Sequence, residues 1–90
     1  MEVEKGELIT LSDNKEYVCL SIIMSENKKF LYLMTTSEPI KFCFAEEISI
    51  NDTIKKIRIV GRKDEKQKLF NLLKTQLKNN PNQGLRYEQP

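Results

Sequence analysis

The stretch that most constrains this chain is residues 16–35, EYVCLSIIMSENKKFLYLMT. Two runs rich in Val, Ile, Leu, Tyr and Phe, types that suit a pleated, half-buried surface, flank the short segment SENK. Asn27 accepts the positive φ that a tight turn needs, so the stretch reads as a β-hairpin. A two-residue or a four-residue loop sets Met24 opposite Lys29, and a three-residue loop would exchange the faces. The first register puts Ile22 opposite Leu31, Leu20 opposite Leu33 and Val18 opposite Thr35. On the other face it puts Ile23 opposite Phe30, Ser21 opposite Tyr32 and Cys19 opposite Met34. One face is aliphatic and the other mixes aromatic, sulfur and hydroxyl groups. Neither resembles the wet side of a one-sided sheet, so both faces are expected to be covered.

Around this hairpin the chain is short. Ninety residues make one domain with a modest core. No apolar run approaches the roughly 20 residues that span a bilayer. The acidic, alternating start MEVEKGELITL does not read as a secretory signal, so the cytoplasm is the expected compartment. Residues 1–6 are expected to fray and 7–11 to form a short strand, with a turn over 12–15. Residues 40–45 alternate as a strand, with Ile40, Phe42 and Phe44 inward and Lys41 and Cys43 outward. Ile48 and Ile50 either extend that strand past Glu46-Glu47 or begin a new piece. Residues 53–60 are open between strand and helix, with their β-branched content favouring the strand.

Asp64 is the expected N-cap of a helix, with Gln67 in the capping-box position. Leu69, Phe70, Leu73 and Leu77 form its apolar stripe, widened by Leu72. The helix is expected to stop at Asn79-Asn80-Pro81 and to cover the aliphatic face of the hairpin. The reading is therefore α+β: a curved antiparallel sheet of about five strands, with a partial small barrel as its closed variant, and one C-terminal helix packed on one face. Residues 1–79 form that domain, and 80–90 are expected to be a disordered tail.

Chemistry is sparse. The chain has no histidine, so the commonest general base and the Cys/His zinc sites are missing. Its two cysteines, Cys19 and Cys43, read as small buried hydrophobes that stay reduced, with a disulfide or redox pair as the alternative. The three glycines are scattered, and no phosphate-cradling loop occurs. Glu46 and Glu47 would point to opposite faces of a strand as solvated charges. No enzyme, metal or cofactor is expected.

Charge is polarised along the chain. Residues 1–52 carry −5 and residues 53–90 carry +7, for a net of +2. Lys56, Arg58, Arg62, Lys63 and Lys66 concentrate the positive charge and are the candidate contacts for a protein partner or for nucleic acid. Twelve lysines against three arginines favour the protein partner. Tyr17, Phe30 and Tyr32 are the candidate interface residues should the mixed face stay open, and sealing that face would make a homodimer.

Gly6, Asp13, Tyr17, Asn27, Phe30 and Tyr32 carry a resemblance over the first third to half of the chain. Their spacing resembles small β-meander proteins of low-GC Gram-positive bacteria and their mobile elements. The resemblance implies a short meander at the N-terminus and no particular activity. It makes an accessory or inhibitor protein of a phage or mobile element the expected setting.

Overall fold

The computed structural model describes residues 3–78. Five strands and one helix follow in order: β1 (Leu8–Thr10), β2 (Glu16–Ser25), β3 (Lys28–Thr35), β4 (Phe42–Ser49), β5 (Lys55–Ile59) and α1 (Lys63–Lys78). The strands pair antiparallel in sequence order, a five-stranded meander. The expected helix stop at 79–81 and the expected disorder over 80–90 lie outside the described residues.

The hairpin turns on Glu26 and Asn27, both at positive φ (53° and 64°), which is the backbone of a two-residue loop matched to strand twist. The expected register holds from Ser25↔Lys28 to Ser21↔Tyr32. It then slips by one, so that Cys19 faces Leu33, Val18 faces Met34 and Tyr17 faces Thr35. The cause is a bulge at Leu20, an extra residue in β2 that the pairing rule of an unbroken ladder does not anticipate.

The bulge decides what lies on each face. Tyr17 and Cys19 join Leu31, Leu33 and Ala45 in one buried cluster, where Leu20 and Val18 were expected. Ile9 of β1 and Ile57 of β5 both pack on this cluster from opposite ends of the sheet. The sheet is therefore curled into a half-barrel with this cluster in its concavity. Val3 lies against it, its N–H donating to Glu47 Oε1 (3.1 Å) and its carbonyl accepting from Lys29 Nζ (2.7 Å). Fraying over residues 1–6 is thus not what residues 3–6 do. The Gly6 N–H donates to the Cys19 carbonyl (2.7 Å), and Gly6 takes φ 90° to do so.

The helix sits on the other face. Leu69 and Leu73 are buried with Ile23, Phe30, Phe44 and Val60, and Leu72 and Tyr32 pack on the edge of that cluster. Burying each such side chain stabilises by about 1.5–3 kcal/mol. The helix thus covers the mixed face, not the aliphatic one, because curling closes the aliphatic face on itself. Its C-terminal half is fixed over β2 by Gln76, which donates to Ser21 Oγ (3.3 Å) and the Ile22 carbonyl (3.1 Å). Phe70 and Leu77, expected in the buried stripe, lie outside it and are exposed.

Two alternatives left open by the sequence resolve: within residues 53–60 the favoured strand forms, as β5 over Lys55–Ile59, and β4 extends through the acidic pair to Ser49. Other details differ from expectation. Asp64 is not the cap: α1 begins one residue earlier, and the Arg62 carbonyl accepts the Lys66 N–H at 2.9 Å. Gln67 Nε2 donates forward to Asn71 Oδ1 (3.2 Å) rather than back to the helix start. Ile40 and Phe42 are exposed, while Cys43 is half-buried against the concave cluster.

Candidate functional site

Because the helix crosses only part of the mixed face, the part beyond it stays open. Met34 and Phe42 are register partners there, next to Tyr32 and Phe44. Tyr32 stacks on Phe42, with ring centroids 5.8 Å apart and planes 14° apart. Tyr32 also meets Phe44 at 5.0 Å and 35°. The result is a row of three rings across β3 and β4. Phe44 is buried, Tyr32 is half-buried and Phe42 is 55% exposed.

The helix supplies the second wall. Phe44, Lys63, Lys66, Gln67 and Phe70 line an open groove of about 390 Å³ between β4 and α1. Phe70 is 43% exposed, and Lys74 Nζ lies over its ring at 5.2 Å from the centroid. Lys63, Lys66, Phe70, Lys74 and Leu77 follow one another at helical spacings of three and four, so they form one stripe. Among the described residues no carboxylate lies within ion-pair distance of Lys63, Lys66 or Lys74.

The five candidate basic residues thus separate. Arg58 Nη2 donates to Glu46 Oε1 at 2.7 Å and stands 3.6 Å from the Glu65 carboxylate. The hydrogen bond to Glu46 raises its already high pKa. Arg62 is paired with Asp64 at 3.0 Å, both well exposed. Lys56 is exposed on β5, on the same face as Arg58 and opposite Ile48 in register. Only Lys63 and Lys66 of the five enter the groove. Of the candidate interface residues, Phe30 is 4% exposed beneath the helix and Tyr17 is 8% exposed in the concave cluster. Only Tyr32 belongs to the open row.

Sequence reasoning missed Phe42 and Phe70 as surface groups. Phe42 shares the face of Phe44 by strand alternation, but whether that face is covered depends on how far the helix reaches. The signal that could have found Phe70 is its place in the lysine stripe, one turn from Lys66 and one from Lys74.

Glu46 and Glu47 do lie on opposite faces of β4, but they are not solvated. Each is 9% exposed and each has a cation opposite it in the sheet. Glu46 meets Arg58, and Glu47 meets Lys29 at 3.1 Å. Two carboxylates on opposite faces cannot share a proton or a substrate atom. The cysteines are free, and desolvation pushes both thiols up. Cys19 and Cys43 both oppose Leu33, one from each side. Two strand spacings, about 9.5 Å, separate them, beyond the reach of a disulfide.

Asp13 Oδ2 accepts from the Tyr17 hydroxyl at 2.8 Å, and Oδ1 accepts the Lys15 N–H at 3.0 Å. These bonds lower the Asp13 pKa, and the same carboxylate holds Tyr17 up at about 12. This pair ties the β1–β2 turn to the strand and stands away from the groove. Among the described residues no cluster of His, Cys, Asp or Glu could hold a metal ion, and no helix is long and apolar enough to cross a membrane. Comparison with protein-family models, curated proteins and solved structures finds no match to this chain.

Proposed function

We propose that the chain is a non-enzymatic interaction module whose contact surface is the groove between β4 and α1 together with the ring row Phe42–Tyr32–Phe44 that adjoins it through Phe44. The observation that carries this reading is Phe42, a ring 55% exposed and already stacked on Tyr32. Aromatic side chains that are exposed, contiguous and held by packing are the anchors of binding surfaces. Phe70 across the groove extends the row onto the helix. The non-enzymatic part is supported by the carboxylates and thiols. Both buried carboxylates are neutralised by cations, and both thiols are pushed toward the protonated form. Two free cysteines held apart suit a reducing compartment, so the proposal includes the cytoplasm.

A photo-crosslinking residue in place of Phe42 tests this in the host cell. The reading expects an adduct of discrete mass at position 42 and at position 70. It expects none at Asp52, an exposed position in the β4–β5 turn. Equal labelling at 42 and 52, or none at 42, would contradict it.

A further inference from the structure

We infer that the occupant of this surface is single-stranded nucleic acid, with bases stacked on Phe70 at the groove and on Phe42 at the outer end of the adjoining ring row, and phosphates beside Lys63, Lys66 and Lys74. The inference rests on the reading of the groove as the contact surface and names the chemistry of the partner.

The charges point this way first. Three ammonium groups lie on one stripe of α1 with no carboxylate in ion-pair distance among the described residues. The acidic residues of the same helix turn are occupied elsewhere: Asp64 meets Arg62, and Glu65 meets Arg58. The groove therefore has a positive wall that no carboxylate among the described residues neutralises, and its complement is a polyanion.

The rings narrow the polyanion. Phe42 lies nearly parallel to Tyr32, which uses one of its faces and leaves the ring 55% exposed. Phe70 is 43% exposed under the Lys74 ammonium. Rings beside cations are the pattern of single-strand binding surfaces, because every base has a π-face and every nucleotide a phosphate. An acidic peptide supplies the charge but no regular series of flat rings. A duplex supplies the charge but keeps its bases inside the stack. The stripe from Lys63 to Lys74 rises about 16 Å along the helix. That length suits the low end of the roughly 4–16 nucleotides such domains cover.

The test is fluorescence anisotropy of the full chain with a labelled oligothymidylate of about twelve nucleotides, a duplex, and polyglutamate as competitor. Three phosphate contacts predict a log–log salt slope of about −2. Lys63→Gln with Lys66→Gln should reduce that slope by about 1.4. Phe42→Ala, checked for retained fold by circular dichroism, should weaken binding about 5- to 100-fold with the slope unchanged. The inference is overturned by no binding at low salt, by a duplex bound as tightly, by equal displacement with polyglutamate, or by an unchanged affinity for Phe42→Ala. If no oligomer binds while position 42 still crosslinks to a protein, the groove is a contact surface and the nucleic-acid assignment falls alone. If position 42 gives no adduct of either kind, both fall.

Discussion

Phe42 lies on Tyr32 with ring centroids 5.8 Å apart and planes 14° apart, and of the two only Phe42 is largely exposed. A ring in this position contributes little to the core, while Phe44, two residues on and 6% exposed, belongs to it. Phe42→Ala should therefore change folding stability by less than about 1 kcal/mol. Phe44→Ala should cost about 3–5 kcal/mol. Denaturant unfolding of the two variants measures the difference. A Phe42 variant as unstable as the Phe44 variant would make the row a structural element and not a surface.

Lys29 and Glu47 form the most buried ion pair described, with side chains 15% and 3% exposed. Glu47 also accepts the Val3 N–H, and Lys29 donates to the Val3 carbonyl, so the pair fastens the N-terminal segment across the concavity. Lys29→Met leaves a carboxylate buried without its cation and should cost about 3 kcal/mol or more. Adding Glu47→Met should recover part of that loss. Arg62→Met, at an exposed pair, should cost no more than about 1 kcal/mol. Equal losses at Lys29 and Arg62 would contradict the buried role of the first.

Tyr17 should ionise late. Its hydroxyl donates to Asp13, which holds its pKa at about 12 against an ordinary value of 10.0. A raised folded pKa gives stability that is intact below the unfolded value and is lost as pH rises from about 10 through about 12. Asp13 has a lowered pKa, so its share is intact above the ordinary carboxylate range and is lost as pH falls through the folded value. Ultraviolet absorbance should show one tyrosine titrating near 12, and Asp13→Asn should bring it down. A titration unchanged by Asp13→Asn would remove the hydrogen bond as the cause.

Glu26 holds φ 53° in the hairpin turn, a conformation that Asn adopts at lower cost. Its carboxylate is paired with Lys68, but both side chains are more than half exposed. Glu26→Asn should therefore stabilise the chain by about 0.5–1 kcal/mol, the turn gain exceeding the loss of the surface pair. A lowered melting temperature would show that the tie between turn and helix matters more.

Local pattern made most of the architecture readable. Alternation marked β2, β3 and the core of β4, the turn chemistry of Asn27 set the hairpin register as far as Ser21, and leucine spacing marked α1. What it did not reach is what depends on other segments. A bulge at Leu20 has no local signature in EYVCLSIIMS, yet it moves Tyr17 and Cys19 into the concavity. Glu46 and Glu47 look solvated until Arg58 and Lys29 come opposite them across the sheet. The candidate site was half legible. Lys63 and Lys66 stood out by charge, whereas Phe42 is a surface group because the helix does not reach over it, and Phe70 because it lies outside the helix's buried stripe of Leu69 and Leu73.

The most direct test of the groove as the contact surface is hydroxyl-radical footprinting of the chain, free and in complexes recovered from its host. Phe42 and Phe70 should be protected in the complex, while Met24, 65% exposed at the far end of β2, should react as before. Protection of Met24 with Phe42 and Phe70 unchanged would place the contact elsewhere and contradict the account.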